Sequence, residues 1–157
     1  TWSTPDIDGP NRSLLNQLDK YDPYQAAFIW LGANDLFAAY PLASSQANLL
    51  SVVGHVQSKG GAPILINMPL ANSAGMPSLD VQRAFADMVY GVALAKNCPL
   101  FDMDLLINGP AYNDIMQPTP GQVAGNVGAD GLHFTAAGYT FVGNAFADAI
   151  WNAVVGA

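Results

Sequence analysis

Three short apolar runs constrain this chain more than any other feature: Gln25–Leu31 (QAAFIWL), Pro63–Met68 (PILINM) and Pro99–Met103 (PLFDM). The first is continuous and of strand length, the pattern of a strand buried on both faces of a parallel sheet. The second reads as another short buried strand and the third as a strand that ends at Asp102. Helical stripes lie between and around them. Leu49, Val52, Val53 and Val56 recur at i, i+3, i+4, i+7 within Gln46–Ser58, which Gly60-Gly61 closes. Ser78 is placed to cap a helix from Leu79 to about Lys96, with Val81, Phe85, Met88, Val89 and Val92 on one face and Asp80 in the first turn. A short helix follows Ser13, carrying Leu14, Leu15 and Leu18, and Asp22-Pro23 stops it. Thr135 is placed to cap a last helix whose inward stripe is Val142, Phe146, Ala149, Ile150 and Ala153. Strand alternating with helix predicts an α/β protein with a parallel sheet and right-handed crossovers. Phe28 to Ile64 and Ile64 to Leu100 are equal steps of 36 residues, but the intervening sequences differ and no repeat is read.

A length of 157 residues fits one core and one domain, with residues 1–12 as a loop or tether. Twelve acidic and five basic residues give a net charge of -7 with no Lys/Arg cluster, which argues against nucleic acid or anionic lipid as a partner. No apolar run approaches the roughly 20 residues of a membrane-spanning helix, and Thr1–Pro10 lacks the form of a signal peptide. The chain therefore reads as soluble and mature, or as a piece of something longer. One cysteine, Cys98, excludes an internal disulfide framework and reads as a small buried residue. Few lysines and many Asn, Gln, Ser and Thr suit a secreted or cell-envelope protein.

In parallel sheets ligands bind beyond the carboxyl ends of the strands, and those ends carry Asn34, Asn67 and Asp102. The long stretch Asn108–Ala129, rich in Gly, Pro, Asn and Thr, reads as a functional loop rather than a passive connection. It leads to Asp130-Gly131-Leu132-His133. Alone, an Asn-Asp pair after a strand is an ordinary turn or cap, and an Asp-x-x-His pair is common by chance. In this order, however, Gly32-Ala33-Asn34-Asp35 and Asp130-Gly131-Leu132-His133 resemble the third and fifth conserved blocks of the SGNH or GDSL serine hydrolases. Ser13–Leu18, Ile64–Pro69 and Pro99–Asp102 are similar to segments of the lipase and esterase branch, so the likeness runs from Ser13 to Trp151.

The resemblance implies a three-layer α/β/α sandwich, hydrolysis of carboxylic esters through an acyl-enzyme, and no cofactor. It implies His133 as general base, Asp130 as its carboxylate and Asn34 as an oxyanion-hole donor. The residues suit those roles. An imidazole with an ordinary pKa near ~6.5 exchanges protons at neutral pH. Asp130 can accept the second ring N–H, and the Asn34 amide can donate to a developing oxyanion. A metal at Asp130 and His133 lacks further ligands at regular spacing.

The chain departs from the family at one decisive point. The Gly-Asp-Ser motif that bears the family's nucleophile is absent, as is the second-block glycine. Ser3, Ser13, Ser44, Ser45, Ser51, Ser58, Ser73 and Ser78 are the serines present, and none follows Gly-Asp after an apolar strand. Gly9 is the one candidate for the second-block glycine, and its place argues against it, because Ser13–Leu18 is similar to a segment well after that block. The family's first strand pairs beside Gln25–Leu31, so its absence leaves a long apolar edge that folded proteins avoid. The expectation is a C-terminal part of a larger, processed hydrolase, active when a companion N-terminal chain covers that edge and brings the serine. The rival expectations are a non-catalytic binding or assembly module, and a different nucleophile within this chain. Among the remaining residues, His55 falls off its helix's apolar stripe and is expected in solvent, and Asp35 is expected to brace its turn. Asp102 and Asp104 are expected to hold the long loop, and Trp30, Phe37, Tyr40 and Met76 to lie in the core or line an acyl pocket.

Overall fold

The apolar runs form a parallel sheet. The computed structural model describes residues 14–110, 112 and 118–154. Strands β1 (Ala26–Trp30), β2 (Ala62–Ile66) and β3 (Leu100–Phe101) pair in the order β1-β2-β3. Register runs from Ala26 opposite Ala62 to Trp30 opposite Ile66, and Ile66 in turn faces Phe101. Around them lie α1 (Leu14–Asp19), α2 (Ala33–Phe37), α3 (Leu42–Ser58), α4 (Leu79–Lys96), α5 (Met103–Asn108), α6 (Pro120–Val123) and α7 (Ala136–Val154). No helix among the described residues is long and apolar enough to cross a membrane. The chain groups into two compact units, one running to Met68 and again over Asp80–Phe101, the other comprising Pro69–Leu79 and the residues from Asp102 onward.

In the first unit the core is built as the periodicity dictates. Leu49, Val52, Val53 and Val56 of α3 are all buried, as are Leu65 and Ile66 of the central strand β2. Phe85, Met88, Val89 and Val92 of α4 are buried too, but Val81 is half exposed and Gln82 takes a buried place on that helix. Val81 lies in the first turn of α4, where Gln82 rather than Val81 is turned inward. The expectation that Gln25–Leu31 is buried on both faces is not met. Ile29 is buried, whereas Phe28 and Trp30 on the other face are 49% and 45% exposed. Among the described residues β1 is an outer strand, paired with β2 alone. A face on such a strand receives less cover than one on β2. His55 is also corrected: it is partly buried and its Nε2 lies 3.1 Å from Asp19 Oδ1, tying α3 to α1. Lys59 joins them, 2.9 Å from Asp19 and 3.4 Å from Asp22. Cys98 is only partly buried, and that burial pushes its thiol pKa up. The expected caps Ser13 and the stripe residue Ala153 lie outside the described residues or side chains.

The second unit is held by polar contacts as much as by apolar ones. Met103, Ile107 and Val127 are buried. Val142, Phe146 and Ile150 of α7 are half-buried at helical spacing, while Ala149, expected to point inward, is exposed. Thr135 caps α7 as its position predicts: its Oγ accepts from Gly138 N at 3.0 Å and donates to the Gly125 carbonyl at 2.7 Å. The chain before the helix is thereby fixed to the loop leading to Asp130.

Candidate active site

The Asp130–His133 stretch forms a closed turn. Asp130 Oδ1 accepts from the backbone N–H of Leu132 and of His133, both at 3.1 Å, an Asx-type arrangement that local sequence suffices to produce. The other oxygen, Oδ2, lies 2.6 Å from His133 Nδ1. Hydrogen bonding to His133 first, and then to those two backbone N–H groups, lowers the Asp130 pKa to about 2. At neutral pH the carboxylate is ionised, so the short contact requires the ring proton on Nδ1. In the neutral ring Nε2 is then the acceptor. Among the described residues nothing hydrogen-bonds Nε2, and the His133 side chain is 75% exposed.

This turn is clamped from several sides. Gly128 N donates to the His133 carbonyl at 2.8 Å, Gly131 N donates to the Gly128 carbonyl at 3.0 Å, and Val127 and Phe134 make an antiparallel bridge. Gly131 is buried at φ +70°, and a Cβ there would run into the carbonyl of Asn72. Only glycine serves at that point. Beneath lies a polar hub. Asp104 Oδ1 accepts from Leu70 N and from Asn108 Nδ2, both at 2.7 Å, and buried Asn108 also donates to the Leu70 carbonyl and accepts from Gly121 N. Among the described residues no three His, Cys, Asp or Glu side chains gather in a way that could hold a metal ion.

Asn34 belongs to the other unit. It stands in the first turn of α2, directly after β1, and its side chain is exposed with no hydrogen-bond partner among the described residues. Two features fix this corner. Gly32 sits at φ +122°, where a Cβ would overlap the ring of Phe85. Asp35, 1% exposed, accepts from Ser45 Oγ at 2.9 Å, which braces α2 on α3 as expected. Asp35 Oδ1 has no hydrogen-bond partner among the described residues. Asn67, at the end of β2, is buried, and its N–H reaches the Phe101 carbonyl at 3.4 Å.

The sequence matches the profile of the GDSL-like lipase/acylhydrolase family over residues 3–141, most of its length. The chain belongs to that family. Solved GDSL-type structures agree in fold. A lipase/acylhydrolase from Enterococcus faecalis superposes with TM-score 0.65 at 23% identity, covering 89% of this chain and 65% of that one. A carbohydrate acetylesterase from Sinorhizobium meliloti gives TM-score 0.65 at 18% identity, with 96% and 74% covered. An aryl esterase from M. smegmatis gives 0.66 at 20%, again with 96% and 74% covered. The chain thus spans less than two thirds of the length of the Enterococcus protein. No curated protein sequence matches it. The parallel sheet with its helices is the SGNH-type α/β hydrolase fold, and ester hydrolysis in general is the chemistry of the family.

The sequence placed Asp130 and His133 together in one turn and Asn34 at a corner after β1, as the structure has them, but it did not show what supports them. Asp102 is not the end of a strand: β3 stops at Phe101, and Asp102 caps α5 by accepting from Leu105 N at 2.9 Å. Asp104 holds the first residue of the long stretch, Asn108, as expected, and the Leu70 segment besides. The stretch Asn108–Ala129, read as loop throughout, contains helix α6, whose signal was Thr119-Pro120-Gly121-Gln122, a capping-box sequence with proline at the first helical position. Trp30 and Phe37 are exposed and Tyr40 is half-buried, so none of the three is core; Met76, half-buried, belongs to the other unit.

Proposed function

We propose that this chain is the C-terminal part of an SGNH-type hydrolase domain that hydrolyses carboxylic acyl esters, with the nucleophilic serine on an N-terminal piece outside this chain. The observation that carries the reading is the 2.6 Å contact between His133 Nδ1 and Asp130 Oδ2, with Nε2 left to solvent. In this reaction Nε2 takes the serine proton as the hydroxyl oxygen attacks the acyl carbon. Asp130 holds the ring tautomer and stabilises the imidazolium. The Asn34 N–H₂ donates to the carbonyl oxygen as it becomes anionic, an interaction worth roughly 3 kcal/mol in such sites. His133 then returns the proton to the leaving alcohol, and water repeats the sequence to release the acid.

The absence of Gly-Asp-Ser and the exposed Phe28 and Trp30 face of β1 support placing the serine on a companion chain. Lipid or short-chain esters come ahead of carbohydrate acetyl groups as substrates, in a secreted or cell-envelope setting. A second reading, a non-catalytic binding or assembly module, is favoured by the same missing motif. Protein from its native source, treated with a fluorophosphonate, separates these. The esterase reading expects a companion chain that takes the label, and loss of labelling in His133→Ala. A single unlabelled species of 16.5 kDa, indifferent to His133→Ala, overturns it in favour of the module. Label on one of this chain's own serines would instead locate the nucleophile here.

A further inference from the structure

The Gln122 side chain does two things at once. Its Oε1 accepts from Thr119 N at 2.9 Å while Gln122 N donates to Thr119 Oγ at 3.3 Å, the reciprocal bonds of a capping box at the start of α6. Its Nε2 donates to the Gly128 carbonyl at 3.3 Å. Glutamate fills this box position as well as glutamine does, because capping uses only the acceptor oxygen. The contact to Gly128 needs the amide N–H₂, which glutamate lacks.

Gly128 is where the turn bearing Asp130 and His133 closes. Its carbonyl also accepts from Gly131 N, and its N–H donates to the His133 carbonyl. The base from which Gln122 reaches is itself fixed: Gly121 N donates to buried Asn108, and the Gly121 carbonyl accepts from Asn126 N and Val127 N at 2.9 and 3.0 Å. We propose that Gln122 is a positioning residue, whose amide clamps Gly128 and so sets the turn that aims the His133 ring at Asp130. The inference rests on that pair being the acid–base half of an esterase site, but its test does not depend on hydrolysis.

Two variants of the full chain separate the clamp from the cap. Gln122→Glu keeps the capping acceptor and sets an oxygen against the Gly128 carbonyl. Thr119→Val removes the capping hydroxyl and leaves the clamp. The readout is the imidazole tautomer of His133, followed by ¹⁵N correlation spectra at neutral pH, beside thermal melting. Gln122→Glu should shift the ratio from the Nδ1–H towards the Nε2–H form by about fivefold, the equilibrium weight of one ordinary hydrogen bond. Its melting temperature should stay within about 4 °C of the parent. Thr119→Val should melt lower and keep the parent's tautomer. An unchanged tautomer in Gln122→Glu, or the same change in both variants, overturns the proposal and leaves Gln122 as a helix cap alone. If the completed wild-type protein hydrolyses no ester, the esterase reading fails, and the tautomer ratio still decides the role of Gln122.

Discussion

At the scale of single residues, Asp130 is the group whose behaviour the geometry defines most sharply. Three donors meet its two oxygens, and its pKa falls from 3.8 to about 2. A carboxyl depressed on folding favours the fold above its unfolded value, and that contribution drains away as pH falls from about 4 through about 2. His133→Ala removes the largest cause and keeps both backbone donors. The Asp130 midpoint, followed by carboxyl ¹³C shifts, should therefore rise above 2 yet stop short of 3.8. An unmoved midpoint would mean that the ring contributes nothing. The pairing was legible in sequence because Asp-x-x-His brings both groups into one turn. The second service of Asp130 Oδ1, to two backbone N–H groups, follows from the same Asx geometry.

Among elements, the short helices carry the support that pattern reading missed. Helices α2, α5 and α6 have five, six and four residues, too few for an apolar stripe to show its period. The long helices α3, α4 and α7 were legible for the opposite reason, although Val81 and Ala149 are exposed where their stripes placed them inward. Asn108, at the end of α5, shows what the short elements do. It donates to the Leu70 carbonyl and Asp104 and accepts from Gly121, linking three segments. Asn108→Ala leaves buried partners unsatisfied and should cost about 2 to 3 kcal/mol, read as a lowered urea midpoint. Asn108→Asp keeps only the bond from Gly121 N and should lose a comparable amount, since it sets a carboxylate beside Asp104. A shift below about 0.5 kcal/mol in both would show that the hub is dispensable.

For the whole molecule, the sheet's outer strand is the open question that sequence posed and the structure made concrete. The apolar run at Gln25–Leu31 was read as doubly buried because its composition cannot tell an inner strand from an outer one whose cover lies elsewhere. With Trp2 and Trp151 changed to Phe, Trp30 remains as the sole tryptophan, and acrylamide should quench it readily, as its 45% exposure requires. Addition of the companion chain should cut that quenching at least severalfold; no change on demonstrated binding would mean that the partner covers a different surface. The loop that carries Asp130 and His133 has the opposite character, because many of its fastenings are close along the chain. Gly128 bonds to His133, Asn126 to Thr135, Gly125 to Thr135 and Gln122 to Gly128. Loops of about ten residues close in roughly 10–100 ns, long before distant strands find one another. Asp130 and His133 thus ride on a cassette assembled by short-range closure, which the bond from Gly121 N to Asn108 then docks onto α5.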